Sequence, residues 1–205
     1  KLDKKEESLT TSYINSLRSG KWGASDPPWV NIELAKEFFP KATKIGRLEG
    51  EIPSAAVSSE ENLLGYLFIT KDITSSLGYS SQVFDIVVGL RLDGKLAGAK
   101  IIDHLEPIIG MYTPDGELVL PLFTAQYKDL DIRMPIKVNL LRTEGPGSID
   151  GISSATVSAV LFNGAILRAA RTIALAKGMR LSDEPVVNIV TFEESKFNKL
   201  IQDGS

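Results

Sequence analysis

The chain of 205 residues is 43% hydrophobic and 24% charged, an ordinary composition for a folded globular protein that excludes disorder over most of its length. Its formal net charge of −3 and pI near 5.3 supply no broad basic field, so nucleic acid is not an expected partner. The absence of cysteine removes disulfides, thiolate-held iron–sulfur clusters, zinc–thiolate sites and cysteine nucleophiles, so redox chemistry in this chain requires a bound organic cofactor or oxygen and nitrogen ligands.

The polar opening "KLDKKEES" is compatible with a neck that follows a signal or anchor, and no apolar run approaches the ~20 residues of a membrane span. From Ser8 to Leu17 the pattern is weakly helical, and "SGKWGASDPPW" breaks it at Gly20, Gly23, Pro27 and Pro28. "WVNIELAKEFFPKA" predicts a helix of about two turns, with Asn31 as N-cap, Glu33 in the first turn and Pro40 at the end. Residues 1–45 thus read as an N-terminal helical extension. Trp22 and Trp29 either close the proline loop onto the core or form a docking platform.

Strand periodicity begins beyond "RLEGEIPSA". "NLLGYLFITKD" and "SQVFDIVVGLRLDGKLAGAKIIDHLEP" are rich in apolar and β-branched residues, and Asp93-Gly94 predicts a two-residue hairpin turn within the second. Ile86, Val88, Leu90 and Leu92 share one face, with Val87, Gly89 and Arg91 on the other, which predicts a half-buried antiparallel strand. Gly89 and Gly98 mark either a bulge or the close approach of a ligand or second backbone. Further along, Asp115-Gly116 is a second turn, "IKVNLLR" a strand and "TEGPGSIDG" a loop.

A long helix is predicted from about Thr156 to Lys177. Val160, Leu161, Ile166, Leu167, Ala170, Ile173 and Ala174 lie along its apolar stripe, Arg168, Arg171 and Lys177 lie off it, and Gly178 is the stop. The tail from Ser182 reads as a short strand and a short helix. No repeat or linker divides residues 1–205, which therefore read as one α+β domain, a twisted antiparallel sheet packed against helices.

Asp150, Ser153, Ser154, Thr156 and Ser158 crowd the start of the long helix. They are either helix caps or, because unpaired N–H groups and aligned peptide dipoles attract anions there, a phosphate site. No "GxSxG" elbow or glycine-rich nucleotide fingerprint supports a hydrolase or dinucleotide reading. Tyr79 in "GYSS" is either a hydrophobic anchor or a stacking partner. His104, the single histidine, stands with Asp103 and Glu106 at the end of the hairpin, where it caps a carbonyl, relays protons or binds a metal; one histidine without cysteine makes a poor structural metal site.

"DGISSATVS", Asp150 to Ser158, resembles the flavinylation motif of the FMN-binding domain family, in which an Asp precedes Gly-Ala-Thr, one variable residue, then Ser or Thr. The resemblance implies that a flavin transferase esterifies the FMN phosphate to the hydroxyl of Thr156. Ala155, Val157, Ser158, Ser153, Ser154 and Asp150 would surround that attachment, and Tyr79, His104 and Glu106 would lie near the ring. Ser154 stands where Gly is usual, a costly exchange if that position takes positive φ. A second block, Leu63 to Ile108, is similar to NosR and NirI proteins through "GY-x-F", "GYS", "I-x-V-G" and "H-x-EPI" taken in that order.

These resemblances imply a periplasmic domain of an inner-membrane NosR-type protein. Such a domain is an electron carrier rather than a stand-alone enzyme. It would exchange electrons with a transmembrane iron–sulfur region of the same protein and support nitrous oxide reductase activity or maturation in denitrification. A NirI-type role beside nitrite reductase, and a cofactor-free sensory or docking domain in which "SSATVS" is only a cap, are the competing readings.

Overall fold

The computed structural model describes residues 26–60, 62–112, 118–139 and 147–181. The expected helix at Ser8–Leu17, Trp22, the Asp115-Gly116 turn, the first four residues of the "TEGPGSIDG" loop and the elements of the tail fall outside those residues; Ser148–Asp150, expected as loop, form a short strand.

Helix α1, Ile32–Phe38, forms where expected. The Asn31 side chain accepts a hydrogen bond from the Leu34 N–H at 2.8 Å, satisfying one of the donors that a helix start leaves unpaired. Five antiparallel strands follow: β1 (Lys44–Glu49), β2 (Ser54–Ser59), β3 (Asn62–Ile69), β4 (Asp85–Arg91) and β5 (Leu96–Asp103), lying side by side in chain order. The first two were not legible in the sequence. β1 is a polar, half-exposed edge and β2 is "SAAVSS", so neither shows a large apolar residue at every second position. Asp93-Gly94 lies in the turn that joins β4 to β5, but the loop has three residues, Leu92 to Gly94, rather than two: the Arg91 N–H donates to the Lys95 carbonyl at 2.9 Å and the Gly94 N–H to the Arg91 carbonyl at 3.2 Å, with Gly94 at φ +80°.

β4 is buried on both faces rather than half-buried. On one face Ile86, Val88 and Leu90 join Phe68 and Leu96 beneath the long helix. On the other, Val87, Leu67 and Ile69 pack with Trp29, Leu34 and Phe38 of the α1 layer. Gly89 and Gly98 are explained by that second layer. A Cβ on either would lie 2.9 Å or 2.6 Å from the Phe38 ring, so the room they leave is filled by an aromatic side chain and not by a ligand. Trp29 is buried, as the loop-closing alternative required.

Two short helices, α2 (Pro107–Tyr112) and α3 (Val119–Ala125), lead to a small parallel pair, β6 (Lys137–Asn139) with β7 (Ser148–Asp150). Helix α4, Thr156–Ala176, then covers the sheet. The Gly178 N–H donates to the Leu175 carbonyl and the Met179 N–H to the Ala174 carbonyl, with Gly178 at φ +73°, a left-handed stop that Gly adopts cheaply. By length and composition α4 meets the requirements of a membrane span, contrary to the sequence expectation; here it is the core helix, with Ala159, Phe162, Ala165, Ile166 and Ile173 fully buried. Val160, assigned to the apolar stripe, is instead half-exposed at 49%.

Inside the helical layer, the Tyr127 hydroxyl donates to Asn163 Oδ1 at 3.0 Å, and Asn163 Nδ2 donates to the Ile136 carbonyl at 3.0 Å. Burial pushes the Tyr127 phenol far above its ordinary range, which keeps it a neutral donor. At the far end of β4, burial raises the Asp85 carboxyl, and Lys71 at 3.3 Å opposes the shift.

Candidate functional site

α4 begins without side-chain help. Its N-cap is Ala155, which offers no side-chain hydrogen bond, so the cap explanation of the hydroxyl cluster does not hold at the N-cap itself. The entry is a tight turn in which the Ala155 N–H donates to the Ile152 carbonyl at 3.0 Å. Ser154, the third residue of that turn, sits at φ +64°, where turns of this kind prefer Gly. The residue that departs from the flavinylation motif therefore occupies a left-handed conformation that disfavours a Cβ.

Replacing it should relieve the strain. Ser154→Gly is expected to raise stability by about 0.5–1 kcal/mol, after allowance for the greater freedom of Gly in the unfolded chain. A higher urea midpoint at unchanged m checks it. An unchanged or lower midpoint would show the turn to be unstrained.

Thr156 is the first residue of α4 and half-buried, while Val157 beside it is 54% exposed. Ser153 and Ser154 are exposed, and Ala155 and Ser158 are buried. Asp150 ends β7 with its side chain exposed. Its backbone is fixed by Gln126, whose Oε1 accepts from the Asp150 N–H at 2.7 Å and whose Nε2 donates to the Asp150 carbonyl at 3.2 Å. Gln126 was not singled out from sequence, and its polar amide just past α3 carries no pattern that would mark it.

Glu106 is the centre of the arrangement. It is only 4% exposed, and both carboxylate oxygens are engaged. Oε1 accepts from the N–H and the hydroxyl of Ser80, each at 3.3 Å, and Oε2 accepts from the hydroxyl of Ser158 in the first turn of α4. A buried carboxylate needs such partners, and a negative charge beside a helix start is favoured by the dipole. One side chain thus ties the loop Leu77–Val83 to the helix that begins at Thr156. The loop is closed by a bridge between Leu77 and Val83 and by the Gly78 N–H donating to the Gln82 carbonyl at 2.8 Å.

Gly78 is required by the same contact, since a Cβ there would meet Glu106 Oε1 at 1.9 Å. Ser80 and Gly78 were missed as functional candidates, although both lie in the quoted "GYSS" segment.

Tyr79 stands on this clamped loop with 56% of its surface exposed, so it is not the hydrophobic anchor that one reading supposed. Leu77, Val83, Leu105, Val157 and Val160 are also half-exposed or more, and each lies next to or near a residue of the clamp. Exposed apolar side chains therefore flank the clamp residues along the chain, with Val157 at the start of α4 itself.

His104 supports the clamp from behind. Its Nδ1 accepts from the Glu106 N–H at 3.1 Å, and its ring lies 6.4 Å from that of Phe162. It thereby caps a backbone donor. Among the described residues no group of three or more His, Asp or Glu side chains is arranged to hold a metal ion.

No family model matches the chain. It is 31% identical over 145 residues to the Regulatory protein NosR of Pseudomonas aeruginosa and 25% identical over 143 residues to that of Stutzerimonas stutzeri, covering 70% of this chain in each case. It is 32% identical over 137 residues, 66% of its length, to the Protein NirI of Paracoccus denitrificans. The chain spans about one fifth of the length of these curated relatives.

Proposed function

Because this chain is of the NosR/NirI type over the stretch it shares with those relatives, we propose that it is their flavin-carrying, periplasmic domain, with FMN esterified through its phosphate to Thr156. The observation that carries the reading is the start of α4: a threonine as first helical residue, an N-cap without a side-chain partner, and the exposed apolar side chain of Val157 beside it.

The residues fit the group. Unpaired N–H groups of the first turn suit a phosphoryl oxygen, the Thr156 hydroxyl is the ester oxygen, and the half-exposed Tyr79, Leu105 and Val157 suit a flat apolar ring. Glu106 then acts as a positioning residue that holds the Tyr79 loop against α4, with both its oxygens already used. When bound, FMN supplies one- and two-electron transfer; the chain anchors it, orients it and shields one side from water. Electrons would pass between a transmembrane iron–sulfur region and a periplasmic partner in denitrification. The NirI relative is as similar as the NosR one, so nitrous oxide reductase and nitrite reductase are both within this reading.

Intact-mass measurement after co-expression with a flavin transferase tests it. The wild-type chain should gain one FMN less one water, and Thr156→Val should gain nothing. A wild-type chain left unmodified while a control acceptor is modified would sink the proposal in favour of a cofactor-free docking domain.

A further inference from the structure

Along α4, Arg168 lies twelve residues beyond Thr156, which at 1.5 Å per residue is about 18 Å from the proposed flavin attachment. There a cleft of about 520 Å³ opens between α4 and the segment after β3, lined by Thr74, Ser75, Ser76, Arg168, Arg171 and Thr172. Four hydroxyl groups and two guanidinium groups face it, and no carboxylate lines it.

Arg47 pairs with Asp26, Lys71 with Asp85, Arg91 with Asp93 and Asp129, Lys100 with Glu37 and Arg133 with Asp131. Arg168 and Arg171, by contrast, bond only neutral oxygens among the described residues. Arg168 Nη2 donates to Ser76 Oγ at 2.9 Å. Arg171 donates through Nε to the Ile132 carbonyl at 2.8 Å and through Nη2 to the Met134 carbonyl at 3.2 Å.

The hydroxyls are ordered as well. Ser76 Oγ donates to Thr74 Oγ1 at 2.9 Å, and Thr74 Oγ1 donates to the Thr70 carbonyl at 3.1 Å, so the chain from Arg168 ends on a backbone acceptor. The guanidinium of Arg171 is held by two carbonyls that do not neutralise it. Two positive charges in fixed positions, with the hydroxyl residues Ser75 and Thr172 lining the same cleft, match an oxyanion with several acceptor oxygens.

We propose that this cleft is a phosphate-binding site, separate from the Thr156 end of the helix. Its ligand is a phosphoryl group, free or in a phospholipid headgroup. The overall charge of −3 does not oppose this, because the two arginines act at contact distance within a concave surface.

The test uses the 205-residue chain in two arms. In the first, thermal stability is followed as inorganic phosphate replaces chloride at matched ionic strength, which separates specific binding from screening. In the second, flotation is compared on phosphatidylcholine vesicles with and without phosphatidylglycerol. A saturable phosphate effect without flotation identifies a free phosphate ester as the ligand, and flotation that needs phosphatidylglycerol identifies the headgroup.

In either arm Arg168→Gln should weaken binding about tenfold, the loss expected for one charge-assisted contact. Lys36→Gln, on α1 across the sheet, should bind as wild type. Arg168 is exposed, so the variant should fold; if it does not, Arg168→Lys, which keeps the charge and loses the fork, should also bind more weakly. Absence of both effects in the wild-type chain, or unchanged binding in the Arg168 variant, overturns the proposal.

Discussion

Phe162→Ala should destabilise the domain by about 3–5 kcal/mol, the range for deleting a fully enclosed aromatic ring. Phe162 is 0% exposed and stands edge-on to Phe84, with ring centroids 4.8 Å apart at 77°; Phe123 and His104 lie on other sides at 6.4 Å. These neighbours come from the entry to β4, from α3 and from the end of β5, so one ring joins three segments to α4. The loss combines transfer of the ring from water, the edge-to-face contact and a cavity that four separate elements cannot all close around. Urea unfolding of the variant should show a markedly lower midpoint at similar m. A loss below about 1 kcal/mol would mean that the packing around residue 162 readily collapses.

The second large effect is expected at Gly78. Gly78→Ala places a methyl group on Glu106 Oε1, the buried oxygen that receives both donors of Ser80. The carboxylate is the end of a flexible side chain and can move, but moving it breaks its bonds to Ser80 and Ser158 and leaves those groups poorly paired. Hydrogen bonds to a charged partner are worth about 1.5–3 kcal/mol each, so a loss of about 2–4 kcal/mol is expected.

A double-mutant cycle with Glu106→Ala identifies the cause. If the carboxylate is what the new methyl strikes, the second substitution removes the clash, and the pair should cost less than the sum of the singles by more than about 1 kcal/mol. Additive costs would place the requirement for Gly78 elsewhere in its loop. Because the clamp holds Tyr79 beside α4, either single variant should also slow flavin attachment in the mass assay without touching Thr156.

The sequence by itself determined the local features whose cause lies within a few residues. Asn31 caps α1, Asp93-Gly94 turns the hairpin, Gly178 stops α4, and the apolar spacing from Thr156 to Lys177 makes one helix. In each case side-chain reach or the absence of a Cβ acts on the adjacent backbone, so the information is local. The strands β1 and β2 were illegible for the opposite reason. Their small and polar residues become strands because β2 pairs with β3 and β1 with β2, and no single-strand pattern contains a neighbour's contribution.

Only the tertiary structure decided the rest. β4 reads as half-buried until α1 is laid on its second face, and Gly89 and Gly98 read as a ligand's approach until Phe38 fills the space. Residues 80, 106 and 158 are far apart in the chain and meet through one carboxylate. Arg168 and Arg171 read as an ordinary solvated stripe until the loop of Thr74 and Ser76 is folded against them. Which charge finds a partner, and which gap is filled, depends on contacts between distant segments, and a pattern of neighbours along the chain does not encode them.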